Sequence, residues 1–169
     1  CCNSEVYDNV ISWYYYFSGW KNLRTIVLVD TSLITDFSYA FADCYSLKTL
    51  PEIETSGSDD FHYMFYYCKS LTTIPLLDTA NGTNFSGMFY QTASLSSVPL
   101  LNTELGTNFY RMFYGCISLI IVPQLNTQQA TLMQEMFRGC ITLDRVPDFS
   151  TAGVYDFSGL FWDCENLKC

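Results

Sequence analysis

Apolar residues return along this chain at one fixed interval. Phe17, Phe41, Phe65, Phe89, Phe113, Phe137 and Phe161 are spaced by 24 residues with no insertion or deletion, and such a period marks a stack of repeats. Other columns keep the same register: Leu23, Leu47, Leu71, Leu95, Leu119, Leu143 and Leu167, then Ile26, Leu50, Ile74, Val98, Val122 and Val146. Val29, Ile53, Leu77, Leu101, Leu125 and Phe149 stay apolar, while the column just before them, Leu28, Glu52, Leu76, Leu100, Gln124 and Asp148, varies freely in polarity. Columns that stay apolar are read as interior, and columns that vary as surface.

Within a unit, Phe85, Met88, Phe89 and Thr92 fall at i, i+3, i+4 and i+7, which predicts one face of a short helix. Phe109, Met112, Phe113 and Cys116 repeat it. Asp36, Asp60, Asn84, Asn108 and Asp156 precede the first aromatic, and their side chains suit free amides at a helix start. Next come β-rich stretches such as "LTTIPLL" and "LIIVPQL", with Pro51, Pro75, Pro99, Pro123 and Pro147. Proline lacks an amide donor and fits a strand end, so a short strand ending near each proline is expected, then a turn through stretches such as "DTANGTN". Neither element buries a core alone, but stacked copies cover each other. The predicted fold class is therefore an α/β repeat solenoid of 24-residue coils, each a short helix plus a short strand in a parallel sheet. Residues 1–12 form an N-terminal segment. Residues 13–169 form a single solenoid of about seven coils, whose last coil is incomplete and suggests further protein beyond it.

"FYRMFYGCISLIIVPQLNT" and "FHYMFYYCKSLTTIPLLDT" resemble the repeats of BspA-like leucine-rich bacterial surface proteins, which read approximately F-x-x-M-F-x-x-C-x-S-L-x-x-[IV]-P-x-[LF]-[DN]-T. The resemblance covers residues from about 13 to 169. It implies a right-handed leucine-rich-repeat stack, part of a surface protein, lipoprotein or phage-associated adhesin, with no catalytic residues. The departures are Thr92 in the cysteine column, Met133 and Trp13 in the first-aromatic column, and a degenerate opening unit.

Charge narrows the partners. The 169 residues carry 8 basic and 17 acidic side chains, a formal charge of -9, which repels a phosphate backbone, so no nucleic acid partner is expected. The longest apolar runs, "TIVLV" and "LIIV", are strand-sized, far below the roughly 20 residues of a membrane span. No leader pattern opens the chain, so any secretion signal was removed or lies outside this segment. Cys1 in "CCNSE" would suit a lipid-anchored terminus, although a numbering that merely begins there is the simpler reading.

Candidate chemistry is sparse. His62 is the single histidine and has no recurring partner to orient it as a base. Cys68 lies six residues on, on another face of the expected helix. There is no C-x-x-C zinc spacing and no glycine-rich phosphate loop, so no enzyme, metal or cofactor is expected. Asp30, Glu54, Asp78, Asn102 and Asn126 could offer oxygens to calcium, but capping of turns explains short acidic and amide side chains better. Asn81 and Asn84 open glycosylation-type tripeptides, which matter only in a secretory host. Cys44, Cys68, Cys116, Cys140 and Cys164 share a column with Thr92. Threonine replaces a small buried thiol but not a disulfide half, a thiolate or a soft metal ligand. A free structural thiol ladder is expected, with Cys1, Cys2 and Cys169 left open.

The surface columns hold the candidate interaction sites. Tyr66, Tyr90 and Tyr114 occupy one position in successive units, followed by Arg138 and Trp162, with Tyr63, Tyr67 and Tyr110 beside them. Such residues suit protein interfaces and stacking on sugar rings. Packing of the same face against a neighbouring copy or domain is the competing reading. Ile120 and Ile121 form a second, apolar candidate in a variable column. The functional expectation is a non-catalytic, surface-displayed module for adhesion or for protein or carbohydrate binding, at the cell surface, extracellular (with or without a lipid anchor) or virion-associated. The alternative is a structural or assembly segment of a larger surface or phage complex, with self-association or flanking domains.

Overall fold

In the computed structural model, residues 12–27 and 30–168 are described, which leaves Cys1, Cys2, Leu28, Val29 and Cys169 outside the account. The described chain winds into successive 24-residue coils around one hydrophobic core that extends from Trp13 to Leu167. The central ladder is the phenylalanine column. Phe17, Phe41, Phe65, Phe89, Phe113, Phe137 and Phe161 stack nearly parallel, with ring centroids 5.3 to 5.6 Å apart. Phe37, Phe61, Phe85 and Phe109 form a second ladder beside it, closed at one end by Trp13 and continued at the other by buried Met133. The leucine column from Leu47 to Leu143 is fully buried. Leu77, Leu101 and Leu125 are buried as expected, and Glu52, Leu76, Leu100, Gln124 and Asp148 beside them are exposed.

The expected helix is absent: no helix forms among the described residues. The segment from the first aromatic to the cysteine makes two successive four-residue turns instead. In the fourth coil the Met88 amide donates to the Phe85 carbonyl at 3.2 Å and the Thr92 amide to the Phe89 carbonyl at 3.0 Å. The third residue of each turn, Gly87 and Gln91, has φ of 58° and 57°, the pattern of a type II turn. Every described coil has such residues at both positions, from Tyr15 and Gly19 to Gly159 and Asp163. A left-handed backbone costs a non-glycine residue about 1–2 kcal/mol. The arrangement offsets this through the amides in between, since Phe85, Gly87, Phe89 and Gln91 donate to Asn108, Tyr110, Met112 and Tyr114 of the next coil at 2.7 to 2.9 Å. An α-helix would spend all those amides within one coil, and the stack would lose its crosslinks.

The expected parallel strands are also reduced. Ile121 and Arg145 form one isolated bridge, and the proline-bearing segments join through single bonds such as Thr72 amide to Lys48 carbonyl at 3.1 Å and Asp144 amide to Ile120 carbonyl at 3.0 Å. The other bridges lie just before the turns, along Asp60, Asn84, Asn108, Leu132 and Asp156. There the residues expected to cap helices have a related role. Asp36, Asp60, Asn84, Asn108 and Asp156 each accept from the amide two residues on, which fixes the entry into the first turn.

Candidate functional site

Two side-chain ladders sit on the outer side of the double turn. The left-handed residues Tyr15, Tyr39 and Tyr63 stack at 4.4 and 5.0 Å. The next residue in their column is Gly87, where a Cβ would lie 2.2 Å from Cε1 of Tyr63. Glycine thus gives the Tyr63 ring room to lean across to Tyr66, which it meets edge to face at 5.3 Å. The aromatic run then continues three residues further round the coil, Tyr66 on Tyr90 at 5.1 Å and Tyr90 on Tyr114 at 4.6 Å. Arg138 is sandwiched next, its guanidinium 5.7 Å from the Tyr114 ring and 4.3 Å from Trp162.

Charge is arranged along the same face. Arg111 lies over Tyr110 at 4.8 Å and bonds Glu135 at 2.6 Å, Arg138 bonds the other oxygen of Glu135, and Asp163 stands 3.8 Å from Arg138. Burial works to raise the Glu135 pKa, but the bonds and charges of the two arginines outweigh it and hold the carboxyl below its ordinary value. Burial, reinforced by neighbouring tyrosines, pushes the phenols of Tyr39 and Tyr66 up to about 12, so both hydroxyls stay protonated at neutral pH.

The structure brings Tyr63, Tyr66, Tyr67, Tyr90, Tyr110, Tyr114, Arg138 and Trp162 together on this face; the tyrosines are half-buried and Trp162 is 59% exposed. Ile120 and Ile121, 54% and 49% exposed, lie apart on the proline-bearing side. Sequence reasoning missed Tyr15, Tyr39, Asp43 and Arg111, which join the tyrosine face. The available signal was Ala42, a methyl in a column of rings.

Behind the face, Cys44, Cys68, Cys116, Cys140 and Cys164 are free. Each thiol donates to the carbonyl 27 residues earlier, for example Cys116 to Phe89 at 3.0 Å. Thr92 makes the same bond to Phe65 at 2.9 Å and is fully buried. Burial pushes the Cys44 and Cys116 thiols up to about 12, far from nucleophilic character. A second buried ladder, unforeseen in the sequence, is formed by Thr55, Thr79, Thr103 and Thr127, which donate to carbonyls of the next coil at 2.8 to 2.9 Å.

His62 bonds the Asp60 carboxylate through Nδ1 at 2.6 Å and meets Tyr39 edge to face. Asp30, Glu54, Asp78, Asn102 and Asn126 each accept the amide two residues on, so turn capping occupies this column. Among the described residues no group of three or more histidine, cysteine or acidic side chains is placed to hold a metal ion. No described helix is long and apolar enough to cross a membrane.

A regular stack of 24-residue coils, each burying leucine and phenylalanine at fixed places, defines a leucine-rich-repeat solenoid. Residues 10–120 match the model of the BspA-type leucine-rich repeat region in six copies, and the chain belongs to this family. Residues 96–169 also match a family described as a Mycoplasma protein of unknown function. Among solved structures, a leucine-rich repeat protein of T. pallidum aligns over 94% of this chain and 71% of its own, with 21% identity and a TM-score of 0.68. That similarity concerns the fold. A leucine-rich repeat protein from Bacteroides ovatus aligns over 94% of this chain and 69% of its own, with 15% identity and a TM-score of 0.33. No curated protein matches the chain in sequence.

Proposed function

We propose that the chain is a non-catalytic binding module, displayed on a cell surface or in the extracellular space, that mediates adhesion to protein or glycan through its tyrosine face. The observation that carries the reading is the half-exposed aromatic band itself. Stacking holds Tyr66, Tyr90 and Tyr114 in fixed positions before any partner arrives, so binding orders few rotamers and costs little entropy. Membership in the BspA-type family supports a role in recognition. The structural alternative, a segment that assembles with other copies or domains, draws support from the exposed pair Ile120 and Ile121.

One experiment separates the two. The full chain and a variant with Tyr66, Tyr90 and Tyr114 all changed to serine are compared for binding to host cells and extracellular-matrix proteins, and for self-association by sedimentation. Loss of adhesion with an unchanged mass supports the binding module. Loss of self-association with adhesion intact overturns it.

A further inference from the structure

The two aromatic ladders meet at a fault. In the column of Tyr66, Tyr90 and Tyr114 the preceding coil carries Ala42. Tyr66 therefore has a ring partner on one side, Tyr90 at 5.1 Å, and only a methyl in the same column on the other. At this fault lies a cleft of about 380 Å³ whose lining includes Ala42, Tyr39, Tyr63, Tyr66, Asp43 and Arg111. Within its column Tyr66 is the one tyrosine that follows a coil carrying no ring there, since Tyr90 and Tyr114 each stack on the ring before them. Tyr66 is held for the purpose by edge-to-face contacts with Tyr63 and Tyr67 at 5.3 and 4.5 Å.

Charge and hydrogen bonding decide what completes it. Arg111, anchored to Glu135 at 2.6 Å, disfavours a cation in the cleft. Asp43 and the chain's formal charge of -9 disfavour an anion. A flat aromatic group would stack but leave the surrounding polar groups unmatched. The phenol hydroxyls of Tyr39 and Tyr66 both donate and accept, Asp43 accepts, and Arg111 donates. A sugar ring has the same double character: an apolar CH face, and hydroxyls that donate and accept.

We propose that this cleft binds a neutral hexose unit of a glycan, its ring lying in the missing rung beside Tyr66. The proposal rests on the binding-module reading and names its ligand class.

The test titrates the full chain with methyl glycosides of glucose, galactose, mannose and N-acetylglucosamine, following tyrosine ring resonances by NMR. A single ring of about a dozen heavy atoms predicts a Kd on the order of millimolar for at least one of them. Ala42→Tyr supplies the rung that the column uses in the next coils and should weaken binding at least tenfold. Asp43→Asn should also weaken it; asparagine adopts the left-handed backbone of position 43 readily, so this variant keeps the test open if the larger one misfolds. Thr73→Ser, on the exposed extended side away from the tyrosine face, should bind as the parent does. Binding by none of the four glycosides, or binding unchanged in both cleft variants, overturns the proposal. Cell or matrix-protein adhesion that persists without any glycoside binding overturns the glycan cleft and leaves the binding module standing. Failure of the parent chain to bind any cell, protein or glycoside overturns both.

Discussion

The two long sides of each coil are built differently. On the turn side, four backbone bonds from the double turn cross each junction between the third and seventh coils, and the cysteine ladder adds more behind them. On the proline-bearing side, neighbouring coils are joined by single bonds such as Thr72 to Lys48 and Ile120 to Ser96. The difference teaches where the cohesion of the stack resides. The side with left-handed residues, which looks strained residue by residue, is the side that holds the coils in register. The extended side hangs from it, fixed mainly by its buried leucine, isoleucine and valine side chains.

The sharpest way to break the comparison is to cut one side chain from each side. Phe89, fully buried within the central ladder, should cost about 3–5 kcal/mol when replaced by alanine. Ile74→Val, trimming a buried residue of the extended side, should cost about 0.5–1.5 kcal/mol. Urea unfolding of both variants checks the ranking; equal losses would mean the two sides share the load.

Alkaline titration compared with and without one thiol separates its share from that of Tyr39 and Tyr66, whose phenols also rise to about 12. The Cys116 thiol is raised by burial from 9.0 to about 12, so its stabilisation is complete below pH 9. Above that the unfolded chain ionises the thiol and the folded chain does not. Stability then falls by about 1.4 kcal/mol per pH unit for this thiol until the pH passes the folded value. Cys116→Thr should remove that share of the slope, measured as the midpoint of urea unfolding between pH 8 and 11.

A smaller effect is expected from exchanging the two donors. Thr92→Cys should change stability by less than about 1 kcal/mol, because a thiol replaces a hydroxyl on the same Phe65 carbonyl. Smallest of all should be Ser97→Lys on the exposed extended side, within about 0.5 kcal/mol of the parent by thermal unfolding.

The interior was legible in the sequence because a side chain that repeats at constant spacing must repeat its environment. Phe89, Leu95 and Leu101 are all where their columns placed them. The helix was misread because apolar residues at i, i+3, i+4 and i+7 also arise from two consecutive four-residue turns. The discriminating positions lay between them: Gly87, Gly115, Gly139 and Gly159 all have positive φ, and glycine is a poor guest inside a helix. The strand was overread because proline and β-branched residues report an extended backbone, not a paired one. Of the tyrosine face, the column through Tyr66, Tyr90 and Tyr114 could be read directly. The diagonal step from Tyr63 to Tyr66 could not, since it depends on a ring leaning over Gly87.

The crosslinks from the amide of one residue to the carbonyl 23 positions later give the stack a counting rule. Tyr63 donates to Ser86 and Gly87 to Tyr110. If residues 85–108 were lost as a block, Tyr63 would find the Tyr110 carbonyl at the same place. A gene slipping by one whole repeat during replication therefore yields a shorter or longer protein with every junction intact, whereas loss of a single codon breaks the count across the junction that spans it. The length of the stack can change without new folding solutions, provided the change is made in whole coils.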